Sequence, residues 1–168
     1  MSEWNKVVHW CFGHGFWYAN PLEEIKGLSE EELFWVPNPN SLCALWHVGH
    51  IAHRERFHIG HFLQGHDEKD IIPPEFLVFG PEWHSVEEIR SSVDSVESVK
   101  IWMREVREIS HEYISSLKDT DFHLIPASSD ENHSVAQVLF QTVAHGALHI
   151  GRIQMLRALI EYKKERAC

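Results

Sequence analysis

Four long segments of this chain repeat apolar residues at the 3.6-residue period of an α-helix, and no segment reads convincingly as a strand. A helix with one apolar face needs partners that cover that face. The pattern therefore predicts an all-α fold, a four-helix bundle that forms one domain over residues 1–168. The first predicted helix follows a cap at Ser2 and ends at about Ala19, and the second follows a cap at Ser41 and runs from Leu42 to about Gln64. The third runs from about Asp94 to Leu117, and the fourth follows a cap at Ser134 and ends at about Lys163.

The connections between these segments predict their order in space. Residues 65–93 form the longest connection, with 29 residues, and contain a short helical candidate from Ser85 to Ser92. A helix of 23 residues is roughly 35 Å long, and this connection holds enough chain to travel back that distance. The second and third helices are therefore predicted to be parallel, in an up-down-down-up order. A further helical turn is predicted between Ser29 and Pro37.

The bulk composition excludes several classes of function. A net charge of −10 argues against a nucleic-acid partner, which would require a basic face. No run approaches the roughly 20 apolar residues that span a membrane, and the N-terminus lacks the features of a signal peptide. Cys11, Cys43 and Cys168 are odd in number and far apart, as in a cytoplasmic protein with reduced thiols. A small-molecule substrate is the expected partner, and the sequence leaves a homodimer open.

Histidine is the unusual residue of this chain, with 14 copies. His145 and His149 lie four residues apart on the fourth helix, so they share one side of it, within an apolar stripe. A buried neutral imidazole is costly unless both ring nitrogens find partners. A metal ion would satisfy both residues at once. The alternative is that they are hydrogen-bonded histidines of the core.

The second helix offers a third ligand. Its apolar face includes His50 and His53, whereas His47, His58 and His61 are predicted to lie further round, towards solvent. The order of preference for the third ligand is His50, then His53, then His47. Three imidazoles with one open position form a catalytic type of site for zinc, nickel or a related divalent ion.

Other interpretations of the histidines remain in competition. A carboxylate-bridged di-iron site needs Glu-x-x-His on two helices, and only Glu55 to His58 fits. No feature of the sequence favours haem bound through two histidines. A structural metal site would need a fourth protein ligand, for which His53 or Glu55 is available.

Three glycines lie in the interiors of the predicted helices, at Gly49, Gly146 and Gly151. Each costs about 1 kcal/mol relative to alanine at such a position. They predict either a close approach of the second and fourth helices or room for a ligand over the metal. Ordinary sequence drift is the alternative.

The chain resembles the DinB/YfiT-like superfamily of metal-dependent enzymes. One motif is His50-Ile51-Ala52 in the middle of the second helix, and the other is H-x-x-x-H-x-G-[Q/R]-I, here His145 to Ile153. The stretch LWHVGHIAHRERF at 45–57 is also similar to the bundle domain of ergothioneine-type sulfoxide synthases. The resemblance covers the whole chain and implies the up-down-down-up bundle, with His50, His145 and His149 as the metal triad.

The resemblance also implies an activity. Relatives include S-transferases and isomerases that use low-molecular-weight thiols such as bacillithiol or mycothiol, whose sulfur binds the metal and becomes a thiolate. We therefore expect a metal-dependent S-transferase, or a related hydrolase, that acts on a small molecule with a thiol as cosubstrate. A non-catalytic metal-binding or regulatory bundle is the alternative. Leu148 and Arg152 depart from the histidine and glutamine that are common in relatives, which affects the substrate pocket and not the triad.

Overall fold

The computed structural model describes residues 3–12, 20–128 and 132–167, and within these ranges the chain is helical without any β-strand. The α-helices of this part of the chain are α1 Glu3–Cys11, α2 Pro21–Glu24, α3 Glu30–Leu33, α4 Ala44–Phe57, α5 Glu68–Ile71, α6 Val86–Ser92, α7 Val96–Ser116 and α8 Val135–Ala167. Shorter helical turns are a π-helical turn His58–Leu63, which continues α4, and the 3₁₀ turns Pro74–Phe79 and Asp119–His123. No helix in these ranges is long and apolar enough to cross a membrane.

The long helices begin and end close to their predicted limits. The caps at Ser95 and Ser134 show why, because each side chain accepts a hydrogen bond from the backbone N–H three residues later. The short helices α3 and α6 begin in the same way, at Ser29 and Ser85. The expected cap at Ser41 is wrong, because α4 begins after Cys43 and has no side-chain cap there.

The first predicted helix is observed as α1, which ends at Cys11. Its expected continuation to Ala19 and its expected cap at Ser2 lie outside the described residues. The long connection 65–93 contains more helical structure than the one predicted segment from Ser85 to Ser92. It contains α5, the turn Pro74–Phe79 and the predicted α6.

Helix α4 is the centre of the fold. It packs against α7, against α8 and against the turn Pro74–Phe79. Every residue from Cys43 to His53 is therefore buried, and this part of α4 has no solvent-facing side. A second apolar cluster lies at the other end, where Phe12, Ile59 and Phe122 meet the first turns of α8.

Gly49 admits an aromatic ring to the surface of α4. A Cβ atom at Gly49 would lie 2.4 Å from the Phe79 ring, which is far inside van der Waals contact. Gly49 therefore does permit a close approach to α4, but the segment that approaches is the connection 65–93 and not α8. At Gly146 a Cβ would meet Ile51 only at 4.0 Å, and at Gly151 it would meet no atom of the described chain within 4 Å.

Gly49→Ala is expected to cost about 1–3 kcal/mol, because the methyl group displaces the Phe79 ring from a packed core. The gain of about 1 kcal/mol in helix propensity offsets part of this cost, so the free energy of unfolding should fall by up to about 2 kcal/mol. Urea denaturation followed by circular dichroism measures this net change. Gly146→Ala is the matched control and should be neutral or stabilising. A Gly49→Ala protein as stable as the Gly146→Ala protein would contradict the packing argument.

Candidate metal centre

Three histidines from α4 and α8 meet between these helices. His145 and His149 project from successive turns of α8, and His50 faces them from the middle of α4. One ring nitrogen of each lies within 4.8 Å of the corresponding nitrogens of the other two. His50 and His149 are 5 % and 3 % exposed, whereas His145 is half-buried. The cluster is therefore closed on the core side and open at His145.

The backbone of the long connection fixes the tautomer of His50. Its Nδ1 donates to the carbonyl oxygen of Phe79 at 2.7 Å and lies 3.2 Å from that of Gly80. The lone pair of His50 is therefore on Nε2, the nitrogen left for a metal. Trp46 stacks on the His50 ring at 4.3 Å and donates through Nε1 to the carbonyl oxygen of Val78 at 3.1 Å. Two neighbouring carbonyls of one segment thus orient two adjacent rings.

A fourth histidine supports the triad from outside. His47 Nδ1 lies 2.9 Å from His149 Nδ1, and one of these two nitrogens carries the shared proton. When His149 Nδ1 donates, its Nε2 keeps a lone pair directed at His145. The expectation that His47 faces solvent is wrong, because His47 is 4 % exposed on a helix that is covered on all sides. His47 is an orienting partner of His149.

The donor set fits a divalent metal ion. The Nε2 atoms of His145 and His149 are 3.1 Å apart, close to the roughly 3.4 Å between two nitrogens that bind one tetrahedral ion at 2.0–2.1 Å. No fourth histidine, cysteine or carboxylate joins the cluster within the described residues. Three protein ligands with a free position define a catalytic type of site, whereas structural zinc usually has four. The role of the three residues as ligands stays a prediction.

Burial keeps the triad neutral. It lowers the pKa of His50 to about 4 and that of His149 to about 2, and it also lowers the pKa of His145. Neighbouring imidazoles and the guanidinium groups of Arg54 and Arg152 add to these shifts, because each disfavours a further positive charge. A metal binds only the neutral form of imidazole. Near neutral pH His50, His145 and His149 are already in that form, so metal binding would not require them to release a proton.

The other candidate histidines of α4 and its π-helical turn are held elsewhere. His53 is 1 % exposed, and its Nε2 lies 3.5 Å from a Glu68 oxygen, outside the cluster. His58 is also 1 % exposed, so its expected position towards solvent is wrong. Its Nδ1 donates to Thr142 Oγ1 at 2.9 Å, and its Nε2 accepts from Arg54 at 3.1 Å. Among the five histidines of α4 and its π-helical turn, only His61 is partly exposed.

Glu55 points away from the triad. One of its oxygens pairs with Arg107 at 3.1 Å, and the side chain is almost fully buried. Burial raises the pKa of Glu55, and the Arg107 charge opposes that rise. Since His58 is bonded to Thr142 and Arg54, the pair Glu55 and His58 does not form half of a di-iron site.

Two arginines at the triad were not predicted as site residues. Arg54 lies one turn beyond His50 and bonds His58, and Arg152 follows His149 by three residues. Both positive charges act on His145. Their helical spacing from the ligands was a usable signal. No signal in the sequence identified the carbonyls of Phe79 and Gly80, because only folding brings this part of the connection onto α4.

A cavity of about 440 Å³ lies beside the triad and not over it. Ile51 and Gly146, which directly follow two of the candidate ligands, line it together with Glu55 and Arg107. None of the three histidines lines this cavity.

The fold and the cluster together define a class, a helical protein in which two core helices present three neutral imidazoles to one point. The chain belongs to the DinB superfamily, which its sequence matches over residues 8–153. The resemblance drawn from the two histidine motifs is confirmed. No curated protein matches the chain.

His145→Ala is expected to weaken metal binding by more than about 100-fold, because loss of an orienting partner alone typically costs ~10–100-fold. The smaller loss is expected for His47→Ala, which removes only the partner of His149. Metal content and affinity, measured on untagged protein prepared without chelator, check both. Circular dichroism should stay near native, since apolar burial supplies most of the stability. His61→Ala is the control, and stoichiometric metal in His145→Ala would refute the triad.

Acid is expected to destabilise the metal-free protein in a defined window. Burial lowers the pKa of His58 to about 3, so the unfolded chain binds a proton there that the folded chain does not. The stabilisation is complete above about pH 6.5 and falls as the pH drops towards the folded pKa, by about 1.4 kcal/mol per pH unit for each such histidine.

Denaturation at stepped pH values measures this slope. His58→Gln should reduce it by about one proton. A free energy of unfolding that is constant between the two pH limits would contradict the neutral, buried state of these imidazoles.

Proposed function

We propose that this protein is a metal-dependent enzyme that transfers a low-molecular-weight thiol to a small electrophile. The observation that carries the proposal is the cluster of His50, His145 and His149, which has no fourth protein ligand within the described residues and is open on one side. Membership in the DinB superfamily supports the same reading. Zinc or nickel is the metal that suits three imidazoles.

His50, His145 and His149 would hold the metal through ring nitrogens. When bound, the metal supplies Lewis acidity that lowers the pKa of a thiol and yields a thiolate at neutral pH. In the transfer, the thiol loses its proton, a sulfur–carbon bond forms, and the electrophile's bond to its leaving group breaks. A hydrolase, in which water takes the place of the thiol, would use the same ligands.

The residues of the chain divide the remaining tasks. The Phe79 carbonyl and His47 orient two of the rings, and Trp46 covers His50 and excludes water from the core side. Arg54 and Arg152 bring two positive charges to the triad in a chain whose net charge is −10. Positive charge beside the open position stabilises a thiolate and favours a thiol that carries a carboxylate.

We also propose that the long helices form the up-down-down-up bundle. The packing of α4 against both α7 and α8, the 29-residue connection and the family support this order. An experimental structure in which α4 and α7 are antiparallel would refute the order and leave the metal site untouched.

The test pairs metal analysis with a screen of thiols against small electrophiles. Stoichiometric zinc or nickel, with thiol transfer that a chelator abolishes and added metal restores, would support the proposal. Stoichiometric metal without thiol transfer or hydrolysis would favour the alternative, a metal-binding or regulatory protein. Absence of metal from the protein would refute both.

Arg152→Gln is expected to raise the KM for a carboxylate-bearing thiol by up to about fivefold, the worth of one solvent-exposed ion pair. The metal content should not change, because Arg152 is not a ligand. The KM for an uncharged thiol such as 2-mercaptoethanol should change less, because it loses only the stabilisation of the thiolate and no contact with a carboxylate. Arg104→Gln, which removes an exposed charge on α7, is the control. Equal effects on the charged and uncharged thiols would contradict a role for Arg152 in binding the carboxylate.

A further inference from the structure

An apolar stripe runs along the outer face of α8. At 100° per residue its large members fall on one side of the helix, away from the face that packs on α4. They are Phe140, Leu148, Met155, Leu159 and Tyr162, and their exposures are 75 %, 54 %, 67 %, 39 % and 55 %. The exposed small residues Ala144, Gly151 and Ala158 lie between them. These eight residues are called the α8 stripe below.

The α8 stripe is long and continuous. Phe140 and Tyr162 are 22 residues apart, which corresponds to about 33 Å of helix. No charged residue interrupts it, and Arg152 lies only at its edge, beside the triad. The largest apolar patch on a typical monomer is about 300–600 Å² and is often a functional surface, so the α8 stripe is a candidate interaction surface.

Gly151 gives a second, independent observation. It lies in the middle of a 33-residue helix, where glycine costs about 1 kcal/mol relative to alanine. A Cβ at Gly151 would meet no atom of the described chain within 4 Å. Gly151 belongs to the α8 stripe and also lines the cavity of about 440 Å³, so its missing side chain leaves room both for another backbone over the stripe and for a ligand in that cavity.

The α8 stripe is nearly symmetric about Gly151. Phe140 and Tyr162 each lie 11 residues from it, Ala144 and Ala158 each lie 7 residues from it, and Leu148 and Met155 lie 3 and 4 residues from it. A two-fold axis through Gly151 would therefore place Phe140 opposite Tyr162, and Ala144 opposite Ala158. Leu148 would lie one residue out of register with Met155, and Leu159 has no counterpart in the stripe. This self-complementarity is what a two-fold interface between identical chains requires.

The exposed area is sufficient for a dimer. With roughly 150–200 Å² for each large side chain, the measured exposures leave on the order of 500 Å² per copy. Two copies would bury about 1,000 Å², the lower limit for a specific interface, before any contact from the flanking polar residues.

We propose that the α8 stripe pairs with the same stripe of a second copy of this chain. The two α8 helices run antiparallel and cross at Gly151, so Phe140 contacts Tyr162 of the partner subunit and Leu148 contacts the partner's Met155. The interface lies beside the triad and leaves the three histidines in their own subunit. This assembly goes beyond the proposed catalytic activity and does not depend on it.

Sedimentation analysis of the full chain tests the assembly. The wild-type protein should have twice the 19.6 kDa mass of one chain. Met155→Glu should raise the dissociation constant of the dimer at least about 30-fold, because it places a charge near the centre of the interface. Its helical circular dichroism should be unchanged, since the side chain is 67 % exposed in the single chain. Ile101→Glu, on the exposed face of α7, is the matched control and should remain dimeric.

A cysteine pair across the axis tests the register. Ala144→Cys combined with Ala158→Cys should form intermolecular disulfides under mild oxidation, because the two-fold axis places each of these residues opposite the other in the second copy. Glu161→Cys, exposed on α8 but off the stripe, should not cross-link above the level of the wild-type chain. A monomeric wild-type protein, equal dissociation by Met155→Glu and Ile101→Glu, or equal cross-linking in the two cysteine variants would overturn the proposal.

Discussion

The contact between Phe79 and Gly49 is the constraint on which the candidate metal centre depends. The ring fits against α4 only because residue 49 has no Cβ, which would lie 2.4 Å from it. This contact places the carbonyl of Phe79 at 2.7 Å from His50 Nδ1. The proton of His50 is thereby held on the nitrogen that faces the connection, and Nε2 is left for a ligand. A core packing contact thus determines the chemistry of a ring one residue away.

The second constraint is the cost of charge in the core. Five imidazoles of α4, its π-helical turn and α8 are at most 5 % exposed, and burial lowers the pKa of each. They stay neutral, which is the form that binds a metal and the form that donates and accepts hydrogen bonds in chains. The bonds from Arg54 to His58 and from His58 to Thr142 form one such chain. The positive charges of Arg54 and Arg152 lower the pKa of His145 further, which also favours the neutral imidazole.

The histidines of α8 were easier to predict from the sequence than those of α4 and its π-helical turn. His145 and His149 were identified because one helix carries both, and the spacing of four fixes their relative position. His50 was preferred over His53 and His47 by helical phase and by the family motif, and it is the one that joins the cluster. Helical phase failed for His47 and His58. Helical phase assumes one buried and one exposed side, but α4 is covered by α7, α8 and the connection, so it has no exposed side from Cys43 to His53. His58 lies beyond this stretch, in the π-helical turn, which packs against α8.

The sequence by itself determined the long helices, the serine cap at Ser134 and the family of the chain, because these follow from local spacing and short motifs. It could not determine which carbonyls orient His50 or which histidine supports His149. Those partners lie 29 and 102 residues away along the chain, and only packing brings them together. The tertiary structure also decided the use of the glycines. Gly49 makes room for a ring of its own chain, whereas Gly151 is exposed on the outer face of α8 with open space where a side chain would stand.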